Sequence, residues 1–321
     1  MSEAFVHRPV LGREVVELLS PVPAGTVVDA TVGGGGHAGL LLEARPDLRL
    51  LGIDRDDVAL TAAARALERF GDRVHLVRAE FSAIASITTG ALGAGATEGD
   101  AIVGVLFDLG VSSPQLDRAE RGFSYWADAP LDMRMDARQD LTAAVIVNTY
   151  SESELAGVIA EFGEERFARR VATEIVRRRP LATTGDLVDA IKAGIPAAAR
   201  RKGGHPARRT FQAIRMAVNR ELPNLREGLE DSVHLLTPGG RVLVLAYHSL
   251  EDRIVKQRFA DWSGTAPAAS GPRSLPVTEP VQDEPPLVRL ITRKPIRPTE
   301  VELEANPRAS SVRLRAVERL A

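Results

Sequence analysis

The feature that most constrains this chain is a run of four glycines, Gly33 to Gly36, directly after an apolar, β-rich segment, Val27 to Val32. Glycine lets the backbone approach a ligand closely at the end of a parallel strand. The next residues, His37 to Leu42, predict a helix, whose first N–H groups favour a negative group or a nucleoside. A nucleoside triphosphate, a dinucleotide and S-adenosylmethionine are the ligands that use such a turn.

The glycine run and its neighbours exclude only one of these three ligands. A triphosphate loop needs a Lys directly after its last glycine, but His37 follows Gly36 and the first Lys of the chain is Lys192. A dinucleotide stays open, because the segment from Gly34 to Gly39 fits G-x-G-x-x-G and is followed at the expected spacing by Asp54. A flexible surface turn is the plain structural alternative.

Two acidic residues favour S-adenosylmethionine. Asp29 lies at the end of the first predicted strand, before the glycines, whereas a dinucleotide loop brings its first glycine immediately after the strand. Asp54 ends a second apolar run, where a carboxylate can accept hydrogen bonds from both ribose hydroxyls. Either residue could instead cap the next helix, which is a common role for Asp at such a turn.

Composition excludes several classes of chemistry. The chain has 321 residues and no Cys, so disulfides, Cys-ligated zinc, iron–sulfur clusters and thiol catalysis are excluded. The six His residues show no metal-ligand spacing, and we predict no metal. The N-terminus lacks a signal-peptide pattern and no apolar run approaches a membrane span, so we expect a cytoplasmic protein.

The order of the predicted elements indicates an α/β fold with an insertion. Strands alternate with helices as far as Asp108, which predicts a parallel, doubly wound sheet. The pattern is then mostly helical until the sheet resumes with a strand over 241–247. We therefore predict a discontinuous core, 1–114 and 216–321, and an inserted helical domain, 115–215. Two β-like runs, 287–294 and 310–316, predict a terminal antiparallel pair, and 264–286 predicts a loop.

The insertion carries a concentrated positive charge. Between Arg166 and Arg220 there are fourteen Arg and Lys residues against three acidic ones, a net charge of +11, although the whole chain has a formal charge of −2. Such a segment favours a nucleic-acid partner. A solvated helix face is the alternative, since only four of the 41 basic residues in the chain are Lys and Arg is the habitual choice.

Longer motifs give the chain a specific resemblance. They are Asp108-Leu-Gly-Val-Ser-Ser-Pro-Gln115, Glu120-Arg-Gly-Phe-Ser124, Pro130-Leu-Asp-Met-Arg-Met135, Gly163-Glu-Glu-Arg-Phe-Ala168, His205-Pro-Ala-Arg-Arg-Thr-Phe-Gln-Ala213 and His248-Ser-Leu-Glu-Asp-Arg253. In this order and over nearly the whole chain, they resemble the RsmH (MraW) family.

The resemblance implies a fold, a reaction and a substrate. It implies a class I (Rossmann-like) S-adenosylmethionine-dependent methyltransferase core with an inserted helical domain. Family members methylate the N4 amine of a cytosine in the decoding region of bacterial 16S ribosomal RNA. The implied partner is small-subunit ribosomal RNA, free or within an assembled or assembling 30S subunit, and a homodimer stays open. An NAD-dependent Rossmann dehydrogenase and a non-catalytic RNA-binding protein are the alternatives.

The resemblance also implies the site residues. For the cofactor they are Gly34, Gly35, Gly36, His37, Asp54, Phe81, Asp108 and Gln115. Asp54 would hold the ribose and Phe81 would pack on adenine, while Asp108 and Gln115 would flank the methionine end or the reacting centre. Because the cytosine amine is a poor nucleophile, it needs acceptors for its protons, and the suitable group is Asp108, Ser112, Ser113 and the carbonyls before Pro114.

Two further sets of residues are assigned to the RNA. The target base must leave its stack to react, and Phe123, Tyr125 and Trp126 are candidates to receive it, with packing as their alternative role. Phosphate contacts are predicted for the basic residues on either side of Gly203-Gly204, namely Arg200, Arg201, Lys202, Arg208 and Arg209.

Overall fold

The computed structural model describes residues 9–92, 101–110, 118–201, 204–266 and 285–321. The chain forms two compact units. The sheet unit comprises Met1–Gly110 and Asn224–Ala321, and the helical unit comprises Val111–Pro223. The boundaries expected from the sequence, after residues 114 and 215, differ from these by a few residues. The predictions for Ser112, Ser113, Pro114, Gln115, Lys202 and most of the loop 264–286 lie outside the described residues.

The sheet unit contains one seven-stranded sheet of order β3-β2-β1-β4-β5-β7-β6. The first five strands are parallel, whereas β7 runs antiparallel to both β5 and β6. The strands are β1 (Gly25–Asp29), β2 (Leu48–Asp54), β3 (Val74–Arg78), β4 (Ile102–Asp108), β5 (Arg241–Ala246), β6 (Val288–Leu290) and β7 (Arg313–Arg319). This order, with a reversed β7, is that of class I methyltransferases, so the predicted fold class is confirmed. The predicted terminal antiparallel pair is also confirmed, with shorter or shifted strands.

Helices cover this sheet and explain why its central strands are apolar throughout. Every residue of β1 and of β5 is buried, as expected for parallel strands with both faces covered. Val28 and Phe107 belong to one core and Val27 and Leu106 to another. The helices of this part of the chain are α1 (Gly12–Leu19), α2 (Gly36–Ala44), α3 (Asp57–Leu67), α4 (Ile84–Leu92), α11 (Glu221–Leu235, which spans the boundary), α12 (Ser249–Trp262) and α13 (Glu300–Ala305).

The first strand is shorter than the apolar run that contains it. The run continues to Val32, but the strand ends at Asp29, the residue predicted to lie at the strand's end. The backbone N–H of Val32 donates to the carbonyl of Ile53, and its side chain lies in a small core with Ala38 and Leu67. The apolar residues after Asp29 are therefore buried beneath the glycine turn rather than paired in the sheet.

The helical unit has its own core. Its helices are α5 (Ala143–Thr149), α6 (Glu152–Gly163), α7 (Ala168–Arg177), α8 (Thr184–Gly194), α9 (Ala197–Arg200) and α10 (Arg208–Val218). Two of them begin with a capping box, Ser151 with Glu154 and Thr183 with Asp186, which satisfies N–H groups at the helix start. Phe211, Leu155 and Val171 are among the side chains buried between these helices. In the part of the chain described here, no helix is long and apolar enough to span a membrane.

Candidate functional site

The glycine turn presents an uncapped helix start at the carboxyl end of β1. Gly33 and Gly35 have φ angles of 51° and 81°, in the left-handed region that glycine adopts without strain. Gly35 precedes α2 and supplies no side-chain cap. A Cβ on Gly35 would lie 3.1 Å from Leu67, whereas a Cβ on Gly34 would meet nothing within 4 Å. The turn thus packs on α3 on one side and is open on the other, where the first N–H groups of α2 can bind an anion.

Asp54 ties the glycine turn to the end of β2. Its Oδ2 accepts a hydrogen bond from the N–H of Gly33 at 3.0 Å, and its Oδ1 accepts one from the N–H of Asp56 at 2.9 Å. Burial raises the pKa of the Asp54 carboxyl, and these two hydrogen bonds oppose that rise. Each oxygen keeps a second lone pair for a ligand hydroxyl. Asp56, not Asp54, caps α3, so the capping alternative for Asp54 is wrong.

Asp29 lies below the site rather than in it. It is only 2% exposed, and burial raises the pKa of its carboxyl to about 7. Its Oδ1 accepts from the N–H of Thr31 at 3.2 Å, and Thr31 in turn accepts from the N–H of Asp108 at 2.7 Å. Because Gly35 precedes α2, Asp29 is not a helix cap. It links the ends of β1 and β4.

Asp108, at the end of β4, has a partner on each carboxylate oxygen. Its Oδ1 accepts a hydrogen bond from the Tyr247 hydroxyl at 2.9 Å, and its Oδ2 lies 3.5 Å from His37 Nδ1. His37 is oriented by a contact of 2.8 Å between its Nε2 and the carbonyl of Val10. Burial and the Asp108 carboxylate raise the pKa of the Tyr247 phenol well above its usual range, so this hydroxyl remains a donor. Asp108 is about a quarter exposed (26%) and is therefore accessible to a ligand.

Phe81 follows β3 and completes the row of residues at this edge. Its ring meets Phe107 edge to face, with centroids 5.6 Å apart and planes at 83°. A Cβ on Gly228 would lie 2.9 Å from the Phe81 ring, so glycine there leaves room for it. Ala79, two residues before Phe81, donates its N–H to the carbonyl of Asp54 at 3.0 Å. The half-buried Phe81 ring therefore has a defined orientation near Asp54.

The structure thus brings together most of the predicted cofactor residues that it describes. Gly33 contacts Asp54, His37 lies beside Asp108, and the strands that carry them are neighbours. Sequence reasoning missed Thr31 and Tyr247. Tyr247 follows β5, whose carboxyl end lies beside that of β4, so its position after a buried strand was the available signal.

A family model described as the MraW methylase family matches residues 4–320. The chain belongs to this family.

Curated relatives agree with this assignment over most of their length. The chain is 55% identical to a protein of Symbiobacterium thermophilum over 99% of this chain and 98% of that one. It is 52% identical to a protein of Thermobifida fusca, covering 99% and 94% of the two chains. A protein of Heliobacterium modesticaldum is 49% identical, with 98% and 99% covered. All three relatives are named ribosomal RNA small subunit methyltransferase H.

In this MraW-family chain the basic residues of the helical unit fall into two groups. Some are engaged by the fold: Arg215 forms a bidentate ion pair with Glu221, and Arg179 donates to the carbonyl of Val147 at 2.7 Å. Others are exposed and, among the residues described, form no ion pair; they include Arg200, Arg201 and Arg208 as well as Arg169, Arg170 and Arg220. The half-exposed Arg209 lies 4.0 Å from Glu165. The charge available to a ligand is therefore smaller than the net charge of the segment.

The three aromatic candidates also differ. Phe123 is 7% exposed and belongs to the core of the helical unit, so its role is packing, and it is not available to receive a base. Tyr125 is partly buried against the same core. Trp126 is exposed.

Proposed function

We propose that this chain methylates the exocyclic N4 amine of a cytosine in the decoding region of 16S ribosomal RNA, using S-adenosylmethionine. The observation that carries the proposal is the Asp108 carboxylate, which Tyr247 and His37 hold at the end of β4, in the same edge of the sheet as the glycine turn. Membership of a methylase family and the names of the curated relatives support methylation of small-subunit ribosomal RNA. The N4 amine and the decoding region rest on the family resemblance.

The described residues fit S-adenosylmethionine. The uncapped start of α2, at Gly36 and His37, suits the carboxylate of its methionine part. Asp54 has lone pairs for the ribose hydroxyls, and the Phe81 ring offers an apolar face for adenine. The Asp108 carboxylate would supply a negative charge to stabilise the positively charged sulfonium. Gly34 leaves space for the ligand, because a Cβ there would meet nothing within 4 Å, whereas Gly35 and Gly36 pack against Leu67 and Pro9 and would contact the ligand through their backbone. Gln115 remains a proposed contact.

Asp108 also suits the chemical step. The bound cofactor supplies an already activated methyl group, so the protein mainly aligns the reactants. The cytosine amine has its lone pair delocalised into the ring, and an acceptor for its N–H groups favours attack as positive charge develops. Asp108 is accessible and has one oxygen oriented by Tyr247. Ser112, Ser113 and the carbonyls before Pro114 are proposed as further acceptors.

The helical unit is proposed to bind the RNA. Arg200, Arg201 and Arg208 are exposed and have no ion pair within the described part of the chain, which suits them to phosphate. Lys202 and Arg209 complete the proposed set. The substrate is taken to be small-subunit ribosomal RNA, within an assembled or assembling 30S subunit in the cytoplasm.

Two measurements test this function. Thermal unfolding with S-adenosylhomocysteine or NAD identifies the ligand, because a molecule that binds only the folded state raises its stability. We expect stabilisation by S-adenosylhomocysteine alone. Stabilisation by NAD would support a dehydrogenase, and no response to either would support a non-catalytic RNA-binding protein.

The position of the methyl group is tested on the product. Modified RNA is digested to nucleosides and examined by mass spectrometry against N4- and C5-methylcytidine standards, and we expect the N4 isomer. The C5 isomer would overturn the proposal, since that reaction ordinarily uses a Cys nucleophile and this chain has no Cys.

A further inference from the structure

Trp126 is an exposed aromatic side chain that packs against other rings of the helical unit. It is 76% exposed, and Val145, at 37%, is the other large hydrophobic side chain exposed in the described part of the helical unit. A single exposed ring is too small a patch for a stable protein interface. The backbone N–H of Trp126 donates a hydrogen bond to Ser124 Oγ at 3.2 Å, and this bond stabilises the local turn.

The ring rests on a stack of aromatic groups. The Trp126 and His205 centroids are 4.8 Å apart, and His205 lies flat against Tyr125, with centroids 4.6 Å apart and planes at 11°. Tyr125 then meets the buried Phe211 edge to face at 5.6 Å. Burial, followed by the charge of Lys192, lowers the pKa of His205 and favours the neutral ring within this stack. Trp126 is thus attached to the core of the unit, and its outer face is free.

Exposed cations flank His205 in the sequence. His205 lies between Arg201 and Arg208, and its carbonyl accepts the backbone N–H of Arg208 at 3.1 Å. Arg200, Arg201 and Arg208 are exposed and form no ion pair with any described residue. The acidic residue nearest to Trp126 in sequence is Asp128. Its carboxylate accepts a hydrogen bond from the N–H of Gly185 at 2.9 Å and is therefore engaged at the start of α8. A groove of positive charge combined with an exposed aromatic ring is typical of proteins that bind single-stranded nucleic acid, and the arginines next to His205 in sequence can supply that charge.

We propose that Trp126 stacks on an unpaired base of the RNA substrate while Arg200, Arg201 and Arg208 bind the flanking phosphates. A second copy of this chain is the less favoured occupant, because it would bring like charges together around one small ring. This inference rests on the proposed function, since it assigns a contact to the RNA that the enzyme is proposed to methylate. Stacking recognises the flat face common to all bases, so the site is tolerant of sequence.

The first test separates stacking from phosphate binding. Wild type is titrated with an oligoadenylate of about twelve nucleotides and with an abasic ribose-phosphate oligomer of the same length. We expect the oligoadenylate to bind roughly tenfold more tightly, and Trp126→Ala to remove most of that preference while leaving the salt dependence unchanged. Trp126→Phe should retain part of the preference. Val301→Ala, at an equally exposed hydrophobic position (76%) of the sheet unit, is the matched control and should change nothing.

The second test observes the ring directly. The chain has two tryptophans, and Trp262 is buried, so Trp262→Phe leaves Trp126 as the single emitter. We expect oligoadenylate to quench its fluorescence and the abasic oligomer to have a much weaker effect. RNA binding without quenching would overturn the proposal.

The outcomes distinguish this inference from the function on which it rests. If Trp126→Ala keeps the preference for oligoadenylate and the methylation rate, the stacking contact is wrong and the methyltransferase stands. If the variant instead changes the sedimentation coefficient of the free protein, Trp126 belongs to a contact between copies and the proposal fails. If wild type neither binds RNA nor methylates it, both fail. Circular dichroism melting confirms that each variant remains folded.

Discussion

The two units of this protein differ in whether the charged side chains compared here have partners within the fold. In the sheet unit, Asp54 and Asp108 have donors on their oxygens before any ligand arrives, and Asp29 is buried beneath them. In the helical unit, Arg200, Arg201 and Arg208 are exposed without an ion pair to any residue described. A reaction centre needs groups held in one geometry, whereas a surface that binds a flexible polyanion needs charge that remains available. The comparison therefore supports the proposal that the first unit performs the chemistry and the second binds the RNA.

The largest expected effect is at Asp108. Asp108→Asn keeps the shape of the side chain but removes the negative acceptor, so we expect the single-turnover methylation rate to fall by about 10²- to 10⁴-fold. RNA affinity should be unchanged. Rapid-quench measurement of methyl transfer under saturating cofactor would show this, and a variant with the wild-type rate would remove Asp108 from the reaction.

Tyr247→Phe provides a graded variant at the same carboxylate. It removes only the hydroxyl that donates to Asp108 Oδ1. Because the ionised carboxylate loses a donor, the acidic limb of the pH–rate profile should move to higher pH. A lower melting temperature with an unchanged pH profile would mean that Tyr247 is only structural.

Asp29 predicts a pH dependence of folding stability. Burial raises its pKa to about 7, above its value in the unfolded chain, so the folded state binds the extra proton between about pH 4 and pH 7. This contribution to stability is therefore fully present below pH 4 and is lost as pH rises through 7, by on the order of 4 kcal/mol. Asp29→Asn keeps an oxygen for the Thr31 N–H and should reduce this loss. Urea unfolding at pH 5 and pH 8 checks it, and an equal loss in both proteins would contradict it.

Asp54 should affect cofactor binding. Asp54→Ala removes the acceptor proposed for the ribose, and we expect binding to weaken by about 1.5–3 kcal/mol, the range for hydrogen bonds to a charged group. Titration calorimetry with S-adenosylhomocysteine measures this. Asp56→Ala is the matched control, because it removes the cap of α3 and should lower stability without changing affinity. Equal affinities of wild type and Asp54→Ala would mean that Asp54 does not bind the cofactor and only contacts the glycine turn.

The smallest effect is expected in the helical unit. Replacing Arg200 and Arg208 together by Gln should make the dependence of log K on log salt shallower by about 1.4, which corresponds to two lost phosphate contacts on a single strand. Cofactor affinity should not change. The control pair, Arg177→Gln with Arg178→Gln, removes two arginines that already pair with Glu174. If both pairs change the slope equally, the arginines without an ion pair contribute no more to RNA binding than those that pair with Glu174.

The sequence predicted the sheet unit better than the helical unit, for a physical reason. Asp54 and Asp108 end apolar runs, and the ends of parallel strands meet at one edge, so their positions follow from local pattern. Tyr247 is 139 residues from its partner Asp108, and no local pattern reports that hydrogen bond. Arg179 and Arg200 are alike in sequence, yet one is engaged by the carbonyl of Val147 and the other is exposed. Only tertiary structure separates them.

The two backbone donors on Asp54 have a consequence for how a ligand is received. Since the N–H groups of Gly33 and Asp56 hold both carboxylate oxygens in the free protein, the side chain has little rotational freedom left to lose on binding. Preorganisation of this kind reduces the entropic penalty of association rather than adding a contact. The glycine turn, although it contains four glycines, therefore already has its ligand-binding conformation in the free protein.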